Sequence, residues 1–416
     1  MSFARAHLPL PIKLFNAAVA GARSTGLNVL PIHATSLIST AIRKTGLNDF
    51  GSDYFREPLE KLCESLEEDA KLTALGRTMA RAEILRLLQH KLFFIDQFKQ
   101  HPEIAQEQIT APIFILGMPR TGTTSLHELM ALDSQFRVPQ SWEVAYPFPP
   151  PETATYKTDP RIAKVDSELA RINQLIPDFR DMHPMGAQLP QECVALFSHD
   201  FASMIFDVQY RLKQYQQWLI HEDMSEVFHS HRRWLQLLQW RCPGDTWVLK
   251  SPQYLWNIKD MLAEYPDARV VQTHRDPIKV AVSIASLTST LRSLGSNDVS
   301  LPEIARDYIE LMSLGNAQTL SAREDGQISE DRIFDVQFSQ FRQDPIAMVK
   351  QIYRFFKLDE KPESFSAMRN FLDRGASSER HGKHQYNFAD TGLDLKTERE
   401  RFANYQKNYG VASETI

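Results

Sequence analysis

The feature that most constrains the fold is a strand pattern that runs directly into a glycine-containing loop. Ile113-Phe-Ile-Leu116 is a short continuous apolar run, which is typical of a strand buried on both faces of a parallel sheet. Gly117-Met-Pro-Arg-Thr-Gly-Thr-Thr-Ser125 follows at once, and an apolar helical pattern begins at Leu126. Because a strand, a glycine loop and a helix start in this order turn backbone N–H groups towards an anion, the segment predicts an anion site of the P-loop kind in an α/β fold.

Further strand patterns predict the architecture of the rest of the chain. Thr246–Leu249, Ala268–Thr273 and the weaker Arg332–Val336 are each followed by a helix-compatible stretch. This alternation predicts a P-loop-like parallel sheet flanked by helices. About 125 residues separate the first two strands, which is too long for a simple connection. We interpret roughly 150–245 as a helical cap inserted over the carboxyl edge of the sheet, where open α/β sheets bind ligands.

The residues before the first strand predict an N-terminal helical region over 1–108, ahead of an α/β domain over 109–416. Apolar residues recur at helical spacing from Asp69 to Lys99. The first residues mix basic and apolar side chains, but Lys13 and two prolines break the apolar stretch, which is short for a secretory signal. We favour a packed or frayed arm over a membrane-contacting segment. A cytoplasmic protein is the default expectation, because no apolar run approaches the roughly 18 to 20 residues of a membrane span.

Composition excludes several classes of function. The 416 residues include 47 Lys or Arg and 52 Asp or Glu, a formal net charge of −5. We therefore expect no nucleic-acid partner, and any anion site must be local. The 3 cysteines are far apart and form no CxxC pair, so neither a disulfide framework nor a zinc site is indicated. The sequence shows no ligand cluster for a metal, and it does not indicate an oligomeric state.

The loop departs from that of a nucleoside-triphosphate-binding protein. The spacing of Gly117 and Gly122 is the same, but Thr123 stands where a kinase or hydrolase requires the lysine that reaches the β- and γ-phosphates. The cation is instead Arg120, from where it can neutralise charge that develops on a leaving oxygen. A P-loop kinase or hydrolase also needs an aspartate at a strand end, and the strand that ends at Lys250 supplies none. A non-catalytic nucleotide-binding protein of the same fold is the second alternative, which the presence of both cations disfavours.

Three stretches carry a resemblance to a known family. Pro119-Arg-Thr-Gly-Thr-Thr124 resembles the 5′-phosphosulfate loop of sulfotransferases, whose donor is 3′-phosphoadenosine 5′-phosphosulfate (PAPS). His274-Arg275-Asp-Pro-Ile-Lys-Val-Ala-Val-Ser283 is similar to the family's 3′-phosphate segment, in which an arginine and a serine eight residues on hold that phosphate. Near the C-terminus, His381–Tyr386 resembles the basic loop that the family closes over the nucleotide.

The resemblance, which runs from about Gly46 to Leu395, implies PAPS as co-substrate and no metal. The donor contacts that it implies are made by Pro119, Arg120, Thr121, Gly122, Thr123, Thr124, Ser125, Arg275, Ser283 and Lys383. Ser125 stands where cytosolic members have the tryptophan that stacks on adenine, so another aromatic must take that part.

The resemblance also implies catalytic roles. Arg120 and Lys250 would stabilise the oxygens of the transferred group and of its bridge to the donor. The histidine base of cytosolic members is missing, since Ser251-Pro-Gln-Tyr254 contains none. Glu143, roughly twenty residues past the loop, stands at the position of the base in the protein-tyrosine branch. His183 and Glu192 are the rival bases.

The acceptor is less clearly indicated than the donor. Phe197–Tyr210 in the cap, together with Trp142, Tyr146 and Phe148, is apolar and aromatic. Such residues would suit a hydrophobic acceptor with a hydroxyl or an amine, such as a lipid, a sterol or a phenol. The sequence identifies no particular acceptor.

Overall fold

The computed structural model of the chain describes residues 5–177, 179, 185–374 and 387–415. Their centre is a five-stranded sheet in which all neighbouring strands are parallel, in the order β2-β3-β1-β4-β5. The strands are β1 (Ile113–Gly117), β2 (Phe136–Arg137), β3 (Thr246–Lys250), β4 (Arg269–His274) and β5 (Ile333–Gln337). The predicted α/β fold with a parallel sheet is confirmed.

The central strand behaves as its apolar pattern predicts. All five residues of β1 are buried, because β3 and β4 flank it and helices cover both faces. Ile113 lies opposite Val248 of β3 and Arg269 of β4. The four predicted strands are confirmed with ends shifted by a residue or so. The edge strand β2 was not predicted, since two residues are too few to set a period.

Helices surround the sheet. Before β1 the described residues form α1 (Leu10–Ser24), α2 (Ala34–Thr45), α3 (Arg56–Glu68) and α4 (Ala74–Gln100). Between β1 and β3 they form α5 (Thr123–Met130), α6 (Ser141–Ala145), α7 (Pro160–Leu175), α8 (Val194–Phe197), α9 (Ile205–Gln209), α10 (Lys213–Leu219) and α11 (Ser225–Gln239). After β3 they form α12 (Ile258–Glu264), α13 (Pro277–Gly295), α14 (Leu301–Glu324), α15 (Phe338–Gln343), α16 (Pro345–Phe355), α17 (Pro362–Asp373), α18 (Leu395–Arg401) and α19 (Ala403–Tyr409).

The N-terminal helices share a hydrophobic core with the sheet. Leu37 of α2, Leu88 of α4 and Leu116 of β1 belong to one buried apolar cluster. Helices α4 and α13 approach closely, since a Cβ on Gly76 would lie 2.2 Å from the Gly295 carbonyl oxygen. The boundary near residue 108 stays a prediction.

The segment before α8 is held against the carboxyl edge of the sheet. The Cys193 amide donates to the carbonyl oxygen of Lys250 at 2.8 Å, and the Gln191 amide donates to that of Pro139 at 2.7 Å. These bonds place residues 191–193 beside the end of β3. Within the described ranges, no helix combines the length and the apolarity that crossing a bilayer requires.

Candidate active site

The glycine loop is braced between two strands. Thr121 is fully buried, and its hydroxyl donates to the Met118 carbonyl oxygen at 2.7 Å and hydrogen-bonds the Thr273 hydroxyl of β4 at 2.5 Å. A Cβ on Gly117 would lie 2.2 Å from that Thr273 hydroxyl, so only glycine fits there. Gly122 has φ 93° and is the N-cap of α5, and its first residues, whose N–H groups have no partner within the helix, line the cavity described below. Thr121 therefore shapes the loop, and the N–H groups are left to bind an anion.

The loop Gly117–Ser125 and the segment Arg275–Ser283, which the resemblance assigns to one donor, lie next to each other. The Arg120 guanidinium donates from Nε to the Ser283 hydroxyl at 3.3 Å. Arg275 donates from Nη1 to the Arg120 carbonyl oxygen at 2.9 Å. The arginine of the loop, the arginine after β4 and the serine of α13 thus form one cationic and polar group.

The fork of Arg275 already holds a carboxylate. Glu414 accepts from Arg275 Nε at 2.7 Å and from Nη2 at 3.0 Å. The ring of Phe338, at the start of α15, lies 4.1 Å from the same guanidinium carbon. No sequence pattern connected Phe338 or Glu414 with this site. Contact with Arg275 makes both of them part of it.

A second cation lies where β3 ends. Lys250 is 2% exposed, and its ammonium donates to the Thr124 hydroxyl at 3.2 Å. It also forms an ion pair with Glu192, whose side chain is 22% exposed and lines the cavity. His127 packs nearby and bonds the Val248 carbonyl oxygen at 3.0 Å. Burial, together with the positive charge of Lys250, lowers the pKa of His127 to about 3, so its imidazole is neutral at physiological pH.

Glu143 lies in different surroundings. It is fully buried, and its carboxylate accepts from Arg137 Nη2 at 2.8 Å, from Tyr156 at 3.1 Å and from the Gln140 amide at 2.8 Å. Glu143 is absent from the residues that line the cavity, and the structure does not bring it to the loop. These contacts favour a structural role for Glu143 and leave Glu192 as the carboxylate beside Lys250. His183 and Lys383 lie outside the described residues.

The loop opens into a cavity of about 340 Å³ whose lining residues form two chemically different groups, which we call its two ends. One end is formed by the loop, Glu192 and Arg275. The other is apolar and is lined by Phe179, Val194, Met204, Ile205, Val208, Ile284, Leu287, Leu291 and Tyr308. Such a wall suits a hydrocarbon chain or ring.

The expected acceptor residues are placed only in part. Met204, Ile205 and Val208, from the predicted stretch, line the apolar wall. The three aromatics that precede the cap do not line it. Trp142 is fully buried and donates to Gln140, the Tyr146 hydroxyl donates to Glu168, and Phe148 packs on Trp234. The wall contributed by α13 was missed because its apolar residues have the spacing of an ordinary core helix.

Comparisons with known proteins agree with this geometry. The profile of the Sulfotransferase family matches residues 112–363. The omega-hydroxy-beta-dihydromenaquinone-9 sulfotransferase Stf3 of Mycobacterium bovis is 24% identical in an alignment of 283 residues that covers 63% of this chain and 66% of that protein. The protein of the same name from Mycobacterium tuberculosis gives the same values. This chain thus spans about two thirds of the length of these relatives.

Two crystal structures resemble the whole chain more fully. Sulfotransferase STF1 from Mycobacterium tuberculosis is 31% identical, with a TM-score of 0.79, over 89% of this chain and 98% of that one. Sulfotransferase STF9 from Mycobacterium avium is 28% identical, with a TM-score of 0.85, over 92% of this chain and 98% of that one.

The fold and the loop define the class of protein first. Cations gathered around backbone N–H groups at the carboxyl edge of a parallel sheet form a site for an anionic group, and the family match makes the protein a transferase of such a group. The family profile covers more than half of the chain. The chain belongs to the sulfotransferase family, and the resemblance predicted from the loop is confirmed.

Proposed function

We propose that this protein transfers a sulfuryl group from PAPS to the hydroxyl of an apolar acceptor. The observation that carries the proposal is a single cavity with a cationic, N–H-rich end and an apolar wall. Membership of the sulfotransferase family supports the donor. The named substrate class of the Stf3 relatives, an omega-hydroxy menaquinone derivative, supports a long apolar acceptor.

The donor would lie along the loop. The N–H groups from Gly122 to Ser125 bind the 5′-phosphate, since a helix start combines unpaired donors with a favourable dipole. Arg275 and Ser283 bind the 3′-phosphate, for which a guanidinium fork is well suited. Arg120 lies between the two phosphates, because it contacts Ser283 and belongs to the loop.

The transfer itself is an in-line displacement. The acceptor oxygen forms a bond to the donor sulfur as the bond from that sulfur to the bridging oxygen breaks. The leaving product is 3′-phosphoadenosine 5′-phosphate (PAP). Arg120 and Lys250 stabilise the negative charge that develops on the bridging oxygen and on the sulfuryl oxygens.

The hydroxyl proton is accepted by Glu192 in this proposal. Its carboxylate lines the cavity and contacts Lys250, whose ammonium is also 3.2 Å from the loop hydroxyl of Thr124. Glu143, the base implied by the resemblance to the protein-tyrosine branch, has its carboxylate occupied by Arg137 and Tyr156. Proton transfer to a positioned carboxylate contributes about 10²–10⁴-fold to such reactions.

A screen with ³⁵S-labelled PAPS tests the proposal. The acceptors are primary alcohols, phenols and amines in which the apolar portion varies from two carbons to an isoprenoid chain, each assayed with and without EDTA. We expect label transfer to hydroxyls, a kcat/KM that rises with apolar length, and no loss in EDTA. Transfer to short polar alcohols at equal rates, or no transfer to any compound, would contradict the proposal.

A further inference from the structure

The first helix carries an unusual concentration of exposed apolar side chains. Leu10 is 68% exposed, Leu14 is 62% exposed and Phe15 is 43% exposed, and all three lie within two turns of α1. Val19 is the buried residue of the same helix and faces the protein. Leu27, which follows the helix, is 60% exposed. Other exposed large apolar residues in the described part of the chain lie singly on different elements, so this face is a patch and not a random exposure.

The charged residues of the segment that bears this patch are all basic. The first 48 residues contain five of the 47 Lys and Arg residues and none of the 52 Asp and Glu residues. Lys13 is exposed between Leu10 and Leu14. The remaining chain is therefore acidic, while its N-terminal segment is basic. An apolar helix face with basic residues and no acids has the composition of a segment that lies on an anionic membrane surface.

The arm that bears the patch is fixed beside the cavity. The Ala6 amide donates to the Ser293 hydroxyl at 2.9 Å, and Ser293 follows Leu291, which lines the apolar wall, by two residues on α13. The His7 amide donates to the Leu175 carbonyl oxygen at 2.7 Å, at the end of α7. These bonds hold the arm against α13, which lines the cavity, and against the end of α7.

We propose that this face, formed by α1 and Leu27, docks on a bilayer that contains anionic lipid. The leucines and Phe15 enter the headgroup region, and Lys13 contacts lipid phosphates. Docking of this kind places the apolar wall of the cavity near the surface from which a lipid-like acceptor would enter. It does not require sulfuryl transfer, so the two proposals can fail separately.

Flotation of the full chain with vesicles tests the docking proposal. We expect the parent to float with vesicles of equal parts phosphatidylglycerol and phosphatidylcholine and to float far less with phosphatidylcholine alone. The double variant L10S/L14S should lower the apparent affinity at least about tenfold, since two large apolar side chains are lost from the contact. The control double variant L314S/L395S removes leucines that are 44% and 42% exposed elsewhere and should float like the parent.

Two results would overturn the docking proposal. One is a parent protein that does not float with anionic vesicles, or an L10S/L14S variant that floats equally well while its circular dichroism and melting temperature match the parent. The other is a dimer that L10S/L14S dissociates in sedimentation velocity while no protein floats. That outcome would make the face an interface between two copies of the chain.

A second inference rests on a different observation, the carboxylate held by Arg275, and it builds on the proposed function. The Glu414 amide donates to the Asp276 carboxylate at 2.7 Å, and Lys279 donates to the Thr415 carbonyl oxygen at 3.0 Å. Residues 411–415 are thereby fixed at the start of α13. Glu414 presents two carboxylate oxygens to the guanidinium to which the proposed function assigns the 3′-phosphate.

We infer that Glu414 occupies the 3′-phosphate position in the resting protein and that the donor must displace it. A dianionic phosphate binds an arginine fork more strongly than a carboxylate does, so exchange is favourable but lowers the net affinity. The segment thus acts as an internal competitor of the donor. Nucleotides without a 3′-phosphate would leave the contact intact.

Calorimetric titration of Glu414→Gln tests this inference. We expect PAP to bind the variant about five- to tenfold more tightly than the parent, with unchanged affinity for 5′-AMP. Glu400→Gln makes the same charge change on an exposed residue of α18 and should match the parent. Equal or weaker PAP binding by Glu414→Gln would contradict the inference alone, whereas absence of PAP binding by all three proteins would contradict the proposed function as well.

Discussion

The two ends of the cavity are built on different physical principles. The cationic end, proposed to bind the donor, joins loop, strand end and helix through directional hydrogen bonds, such as those from Arg120 to Ser283 and from Arg275 to the Arg120 carbonyl. The apolar wall, proposed as the acceptor wall, is made of side chains from several helices, including Ile205 and Leu287. A ligand that is bound by directional hydrogen bonds must place its polar atoms in one geometry. An apolar wall selects its ligand by apolar area and shape. Substitutions at the two ends should therefore change different kinetic constants.

The largest effect should follow loss of the proposed base. Glu192→Gln should lower kcat by about 10²–10⁴-fold and remove the acidic limb of the pH profile, with PAP affinity little changed. Glu143→Gln is the matched control, since it neutralises the other carboxylate. It should lower stability by about 3–5 kcal/mol through the unpaired Arg137, while the folded enzyme keeps its kcat. Steady-state rates and urea unfolding measure the two effects. A large loss of kcat in Glu143→Gln, with kcat retained in Glu192→Gln, would show that Glu143 is the base.

Removal of the cation beside the transferred group should come next. Lys250→Met keeps an unbranched side chain of similar size and should lower kcat by about 10²–10³-fold, because charge in the transition state loses a preorganised partner. The KM of the acceptor should change little, since the apolar wall is intact. Rates within threefold of the parent in single-turnover assays would show that Lys250 serves only to hold Glu192.

The acceptor wall should respond in KM and not in donor affinity. Leu287→Ala combined with Leu291→Ala should raise the KM of a long apolar alcohol by about tenfold or more, because apolar contact area is lost. PAP affinity should stay that of the parent. Leu314→Ala, on the exposed face of α14, is the control. An unchanged KM would mean that the acceptor lies elsewhere.

The last effect concerns the stability of the fold and leaves the kinetic constants aside. Burial lowers the pKa values of His127, His199 and His231 to about 3. These side chains are neutral in the folded state but protonate below about pH 6.5 when unfolded. Stability should therefore be constant above that pH and fall towards pH 3, by about 1.4 kcal/mol per pH unit for each histidine.

One buried acid opposes this trend. Burial raises the pKa of Asp207 to about 6, so below that pH the folded state gains one proton that offsets one histidine. Urea unfolding at pH 7.5, 6.0 and 5.0 should still show a net loss on acidification. Equal midpoints at the three values would mean that these histidines are solvated.

The same contrast explains what the sequence could predict. The loop from Gly117 to Ser125 and the segment from Arg275 to Ser283 each have a fixed local spacing, so they could be recognised and related to one donor. The four longer strands were predictable because burial on both faces leaves a continuous apolar run. The sequence favours Glu143 over Glu192 as the base because it supplies positions along the chain and not distances in space. Arg137, which forms the ion pair with Glu143, lies only six residues earlier. It belongs to β2, which is too short for a sequence pattern to predict.

Other parts of the site depend on tertiary contacts between distant residues, which the spacing of residues along the sequence does not predict. Glu192 meets Lys250 only because the segment before α8 hydrogen-bonds the end of β3. Glu414 reaches Arg275 across 139 residues. The apolar residues of α13 face a cavity, but their period is that of a core helix.

Calorimetric titration with PAP in the absence of metal tests the central claim most directly. The account predicts a Kd in the micromolar range, no requirement for Mg²⁺, and at least about tenfold weaker binding by Arg275→Ala, which loses the bidentate phosphate contact. Micromolar binding of ATP with Mg²⁺, together with no measurable binding of PAP, would contradict it.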